Sequence, residues 1–204
     1  MRSPAVLERF DVVIWNNISG DVLTIAQRKA FRSWMEAGGS WVGLHGSAGD
    51  PVYFGDWYTD VLVWARFAGH LLNSQFQTAR AVVDYKTNPA AAHLPSEWTM
   101  QDEWYSFLTN PRKAGTSVTA TLDEATYRQV GPFGEKLTMG DHPIAWTNTV
   151  GKGHMFYSAI GHLPQSYADP RYIAMLDGGI ALAITQSRAK PGRRIHNSIE
   201  GGVH

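Results

Sequence analysis

Gly38-Gly39-Ser40-Trp41-Val42-Gly43-Leu44-His45-Gly46-Ser47 reads as a helix end, a tight turn, a buried strand and a sharp corner bearing one histidine. Gly38 and Gly39 follow a helical run and suit a left-handed C-cap. Trp41, Val42 and Leu44 form a short apolar run of strand type. Gly43 admits a close neighbour, and Gly46 lets the chain turn. In an open α/β sheet, ligands bind beyond the C-terminal ends of the strands. His45 is therefore placed at the mouth of a site, where many α/β hydrolytic enzymes hold a nucleophile. A histidine there is an acid, a base or a metal ligand rather than an acyl acceptor. The plain alternative is a residue that only caps the strand.

Upstream, Phe10-Asp11-Val12-Val13-Ile14-Trp15 is an apolar run of the kind buried on both faces of a sheet. Thr24 with Gln27 three residues on is a capping-box pattern. It predicts a helix over Ile25–Ala37 with Ala30, Phe31, Trp34 and Met35 on its inner face. Strand, helix and strand make a parallel βαβ unit. Downstream, residues 60–67 suggest a short helix, 79–85 a strand, and 86–101 an irregular stretch with Pro89 and Pro95. Further strands are predicted over 102–107, 117–122, 143–147 and 154–160. Pro170–Gln186 is the closing helix, with Pro in its first turn, and Gly178 and Gly179 within it imply close packing or a bend. Residues 1–187 read as one α/β domain, and 188–204 as a basic, poorly ordered tail.

The 204 residues include 18 basic and 18 acidic side chains and no cysteine. A zero formal balance argues against nucleic acid as the partner, because phosphate binding needs an excess of Lys and Arg. The lack of cysteine excludes disulfides, thiolate metal sites and thiol nucleophiles. No apolar run is long enough to cross a bilayer, and no signal peptide is evident, so a cytoplasmic location is expected.

His45, His70, His142 and His162 all stand at predicted element ends beside glycine, proline or an acid. None has the short spacing of H-x-H or H-E-x-x-H, so any metal site must be assembled from distant segments. Asp102 and Glu103 are neighbours and point to opposite faces of a strand, so only one can face a given pocket. Glu103, beside Trp104 and Tyr105, suits proton transfer; a solvated acidic loop is the plainer reading. Ser47 lacks the G-x-S-x-G order of a nucleophile elbow. No G-x-G-x-x-G opens a helix, so no nicotinamide cofactor is expected; nor is a flavin.

Taken together, Asp11–Thr24, Gly38–His45, Phe67-Ala-Gly-His70, Asp102-Glu-Trp-Tyr105, Asp123-Glu124, Asp141-His-Pro-Ile-Ala-Trp146 and Gly153–His162 resemble the trehalose-utilisation (ThuA-like) family over about residues 8–185. The resemblance implies a flavodoxin-like, class I glutamine amidotransferase-like three-layer sandwich with a mostly parallel sheet. His45 falls where those relatives carry a nucleophilic cysteine, so amidotransferase chemistry is not implied. The family is associated with sugar utilisation, often beside dehydrogenases that make keto-sugars. That association points to a small carbohydrate, a sugar or keto-glycoside, as substrate for elimination, isomerisation or hydrolysis. His45, Glu103 and His162 are then the catalytic candidates. Asn17, His70, Trp104, Tyr105, His142 and Trp146 are the substrate-binding ones, the aromatics forming a stacking wall. A divalent metal such as Zn or Mn, on His45, His70 and His162, is the candidate cofactor. A non-catalytic carbohydrate-binding module is the alternative, and direct hydrolysis by two carboxylates, with Asp50, Asp102 or Asp141 beside Glu103, is a third reading.

Similar proteins begin with a further strand, helix and strand before the segment matching Phe10–Trp15. Without a central first strand, Phe10–Trp15 becomes an apolar edge, which invites pairing with another chain. Either a homo-oligomer through that edge or a natural start earlier than Met1 is expected.

Overall fold

The computed structural model describes residues 4–49, 55–84, 88–131, 134 and 136–187. β1 (Val12–Asn16), α1 (Ile25–Glu36) and β2 (Ser40–Leu44) form the expected βαβ unit. Both halves of the capping box are made: Thr24 Oγ1 accepts from the Gln27 amide, and the Gln27 side chain accepts from the Thr24 amide. Gly38, at φ +113°, turns the chain out of α1, and all of β2 is buried. The chain continues through β3 (Phe67–Gly69), β4 (Phe76–Val83), β5 (Glu97–Glu103), β6 (Ser106–Phe107), β7 (Ser117–Asp123), β8 (Pro143–Val150), β9 (Gly153–Ser158) and α2 (Pro170–Gln186).

Seven strands join in the order β1-β2-β9-β8-β7-β4-β5, and β3 pairs with β6 in a separate two-stranded ribbon. Only β1–β2 and β2–β9 are parallel; the other four pairings of the large sheet are antiparallel. The mostly parallel sheet is thus corrected to a mixed one. Parallel neighbours need a crossover of a dozen or more residues, whereas antiparallel ones need only a short turn. β8 passes into β9 through residues 151–152 alone.

In the parallel part the helices cover both faces. Phe31 of α1 stacks on Trp15, which packs edge-on against Trp41. On the opposite face α2 approaches so closely that a Cβ on Gly179 would overlap the Phe156 ring. Phe156 alternates with Met155 and Tyr157 along β9, so its side chain points away from α1. The close packing inferred from the glycine pair is observed.

Two local expectations are corrected. The helix expected over residues 60–67 lies earlier in the chain and ends at Leu62. A wide helical turn covers Tyr58–Leu62, closed by a bond from the Val63 amide to the Tyr58 carbonyl (2.9 Å), and Phe67 already lies in β3. The stretch 86–101 is not irregular throughout, since β5 starts at Glu97; its alternate residues Trp98, Met100 and Asp102 are buried. The tail read over residues 188–204 lies outside the described residues, as does Asp50.

β1 stands at one edge of the sheet and β5 at the other. Five strand steps of roughly 4.8 Å would separate β2 from β5 by about 24 Å in a flat sheet. Yet a side chain after β2 meets one at the end of β5 at 3.0 Å. The sheet therefore curls, and the curl builds the site.

Candidate active site

His45 follows β2, and Ala159 to His162 follow the neighbouring parallel strand β9, with Leu44 in register with Ser158. The sharp turn expected at Gly46 falls on His45 itself, which has φ +44°. Such a conformation in a residue other than glycine is costly, and tends to occur at functional positions. It is held by the Tyr157 hydroxyl, which donates to the His45 carbonyl (2.8 Å), and by the Gly46 amide, which donates to Asn17 Oδ1 (3.0 Å).

The imidazole of His45 is 1% exposed. Its Nδ1 lies 2.7 Å from the Ala159 carbonyl oxygen. A carbonyl only accepts, so Nδ1 carries the proton and donates. Nε2 then faces Glu103 Oε2 at 3.0 Å and His162 Nδ1 at 3.2 Å. His162 Nδ1 is also 3.2 Å from Glu103 Oε2. The other oxygen of Glu103 meets His70 Nδ1 at 3.2 Å and accepts from the Gln75 amide. One buried carboxylate thus gathers three imidazoles. Burial alone would raise its pKa; hydrogen bonds from His45 and Gln75, and the charges of His70 and His162, outweigh that and bring it down to about 2. Glu103 is an anion at neutral pH, a counter-charge rather than a strong base.

Asp102 points the other way, as neighbours in a strand must. It is fully buried and accepts from the amides of Gly161 (2.9 Å), His162 (3.1 Å) and Leu163 (3.3 Å), from Ser166 Oγ (2.7 Å) and from the Glu103 amide (2.8 Å). It fastens the end of β5 to the loop carrying His162. This role was missed because the pairing partners are backbone groups of a distant loop.

Of the substrate-binding candidates, Tyr105 and His70 join the cluster. The Tyr105 ring lies 4.0 Å from that of His45 and 5.8 Å from that of His70. Burial, then the Glu103 charge, pushes its phenol well above the ordinary value, so it stays protonated. Asn17 sits exposed at the rim, but its amide is engaged by the Gly46 amide and the Gly161 carbonyl. His142 does not reach the cluster. Buried, it holds the Tyr105 carbonyl (2.9 Å) and meets Glu124 (2.9 Å). Trp104 and Trp146 are not a stacking wall: both are buried, their indole N–H groups donating to the Gln77 and Val63 carbonyls. Among the described residues, an exposed aromatic near the cluster is instead Phe76, 5.2 Å from the His162 ring. A lone Phe at a strand start gave no sign of this. Ser47 serves the backbone of Trp15 and Ile18, away from any Ser–His pair.

The donor atoms of His45, Glu103 and His162 all lie within 4.8 Å of one another, so these three could hold a metal ion. Glu103 takes the place expected for His70, which faces the other carboxylate oxygen. A groove of about 690 Å³, lined among others by Phe10, Trp34 and Gly39, lies at the opposite end of β2. Its titratable residues, Glu8, Asp11 and Lys29, include no histidine.

The family model described as trehalose utilisation (ThuA) matches residues 1–183. The chain belongs to the ThuA family. A ThuA-like protein from Bacteroides uniformis is similar in structure, with a TM-score of 0.77 and 25% identity over 91% of this chain and 74% of that one. A ThuA-like protein from Parabacteroides merdae gives 0.60 at 16% identity, covering 90% and 74%. A cytoplasmic protein from Salmonella typhimurium LT2 gives 0.62 at 12%, covering 90% and 76%. No curated protein sequence matches the chain. ThuA membership agrees with the mixed α/β architecture and suggests a role in sugar utilisation. Among the described residues, no helix is long and apolar enough to cross a membrane.

Proposed function

We propose that this ThuA-family chain is an enzyme acting on a sugar or keto-glycoside by acid–base elimination, isomerisation or hydrolysis. The observation that carries the reading is Glu103, a buried anion in contact with His45, His162 and His70, the last two partly exposed to solvent. A ketone acidifies the neighbouring C–H, so one base and one electrophile suffice.

The two oxygens of Glu103 divide those roles. At Oε2, His45 and His162 are the residues that would hold a positive charge beside the substrate oxygen, and that charge would polarise it. At Oε1, His70 donates from Nδ1, which leaves Nε2 with its lone pair as the base; a carboxylate that fixes an imidazole tautomer works in this way. His70 Nε2 takes the proton from the carbon beside the ketone. The resulting enolate either regains a proton at a different position, which isomerises the sugar, or expels the β-alkoxy group. Expulsion breaks the C–O bond, and the departing oxygen takes a proton; water adding to the enone completes a net hydrolysis. Tyr105 and Phe76 supply apolar surface for a sugar ring. Direct hydrolysis by two carboxylates is less well supported, because Asp102 is spent on backbone amides and Asp141 on Arg112 and Asn110.

The test is a keto-glycoside incubated in D₂O with the parent, His45→Ala, Glu103→Gln and His70→Ala chains, with products read by NMR and mass spectrometry. The parent should place deuterium beside the ketone or release the aglycone, and each variant should lose about 10²–10⁴-fold in rate. Variants working at the parent rate would refute the proposal. Binding by the parent with no turnover would make the chain a carbohydrate-binding module instead.

A further inference from the structure

We infer that His45 Nε2, Glu103 Oε2 and His162 Nδ1 form a binding site for one divalent first-row transition ion. The three atoms make a nearly equilateral triangle, with sides of 3.0, 3.2 and 3.2 Å. Ligands at about 2.0–2.2 Å from a shared ion of this class stand about 3.0–3.5 Å apart when adjacent. The triangle is one face of such a coordination shell.

Lone pairs give a second argument. His45 Nδ1 is committed as a donor to the Ala159 carbonyl. In the neutral ring Nε2 is therefore bare, and it points at a carboxylate oxygen and at another imidazole nitrogen. Among these three atoms a metal ion can take the place that a shared proton would otherwise fill. The surrounding shell is the one that metal ligands have. A ligating histidine donates its other N–H to a carbonyl or carboxylate, and a ligating carboxylate is itself hydrogen-bonded. His45 has Ala159; Glu103 has Gln75 and His70; Asp102 grips the amide of His162 itself. His142 shows the contrast: it too lies between a carbonyl and a carboxylate, but the third group at its Nδ1 is the Tyr127 hydroxyl (3.1 Å), not a second imidazole.

Two imidazoles and one carboxylate suit zinc, iron, cobalt or nickel, and a set of three leaves positions open. Glu103 and His45 are buried, while the His162 side chain is 38% exposed, so the open positions face the mouth. An ion there acts as a Lewis acid on a ketone or hydroxyl oxygen, the positive centre of the reaction above, with His70 left free as base. That role rests on the proposed function; binding of the ion does not.

The test is titration of the chelator-treated full chain with Co²⁺, followed by visible absorption, and competition by Zn²⁺. One ion per chain is expected, with d–d bands that vanish as Zn²⁺ displaces cobalt. His162→Ala, at a partly exposed position that leaves the core intact, should weaken Co²⁺ by more than about 100-fold, beyond the usual loss from an outer-shell change. His93→Ala, an exposed histidine outside the cluster, should bind as the parent does. Absence of bands, or equal binding by His162→Ala, would overturn the site. If the metal-free chain turns over the keto-glycoside at the full rate, the ion has no catalytic role and the acid–base proposal stands. If Co²⁺ binds but no keto-glycoside reacts, the site stands and that proposal falls.

Discussion

Asp102→Asn is the change that most directly tests how the site is held. The carboxylate serves five donors: Oδ1 takes the amides of Glu103, His162 and Leu163, and Oδ2 takes the Gly161 amide and Ser166 Oγ. Asparagine keeps the shape but has one accepting oxygen. Its best placement puts that oxygen at Oδ1 and the NH₂ at Oδ2. Ser166 can reverse and accept, but the Gly161 N–H then faces another donor at 2.9 Å. One bond to a charged group is lost, worth about 1.5–3 kcal/mol, and a buried donor is stranded. The expected destabilisation is about 3 kcal/mol, a fall in Tm of roughly 6–12 °C for a domain of this size. Urea unfolding followed by circular dichroism gives the first number. Because Asp102 holds the amide of His162, Co²⁺ affinity should also fall about 10–100-fold, as for other outer-shell partners. A variant within 0.5 kcal/mol of the parent and with unchanged affinity would refute the reasoning, since that is the range of an inconsequential surface change.

Glu124→Gln should destabilise the chain by about 1.5–3 kcal/mol at neutral pH, through the Met139 and Gly140 amides and His142. Burial raises the Glu124 pKa, but the Met139 amide, His142 and the Gly140 amide outweigh it and hold it below the ordinary 4.5. A depressed carboxylate stabilises above its unfolded value, so the parent-minus-variant difference should be constant above about pH 4.5 and shrink below it; urea midpoints across pH 2–7 measure this, and a difference that grows in acid contradicts it. Gly179→Ala places a methyl on the Phe156 ring and should cost about 1–3 kcal/mol by overpacking; a neutral result in thermal unfolding would show that the helix shifts freely. At the β1 edge, Ile14 is 48% and Phe10 50% exposed, so light scattering should find a homo-oligomer that Ile14→Lys dissociates; a monomeric parent would remove the idea.

Much of the first fifty residues was legible because their signals are local. The Thr24–Gln27 box, the spacing of Phe31 and Met35, and the apolar runs of β1 and β2 each follow from a few adjacent residues. α2 was legible for the same reason, from Pro170 to the glycine that meets Phe156. The antiparallel half was less so. β5 alternates buried Trp98, Met100 and Asp102 with exposed Glu97, Thr99 and Gln101, a true period of two that the prolines nearby obscured. The site was half legible. His45, His70, Glu103 and His162 stood at element ends, and element ends are where ligands meet a sheet. His142, Trp104 and Trp146 had the same local look, yet their polar atoms are satisfied by backbone carbonyls. Nothing in a sequence says which carbonyl will arrive from another strand.

The support for Tyr105 shows why His142 resembles a site residue without lying in the site. Glu124 holds His142, His142 holds the Tyr105 carbonyl, and the Tyr105 ring covers His45, which meets Glu103. Two histidine–carboxylate pairs are thus linked through one tyrosine, the buried pair fixing the backbone whose ring forms the wall for the other. Both depend on the curl of the sheet. Glu103 ends the strand at the edge opposite β1, and it meets His45 only because the antiparallel half bends it back over the C-terminal ends of β2 and β9. A flat parallel sheet with the same motifs would leave Glu103 far from every imidazole it now gathers. The departure from a mostly parallel architecture is therefore what lets this chain assemble its cluster.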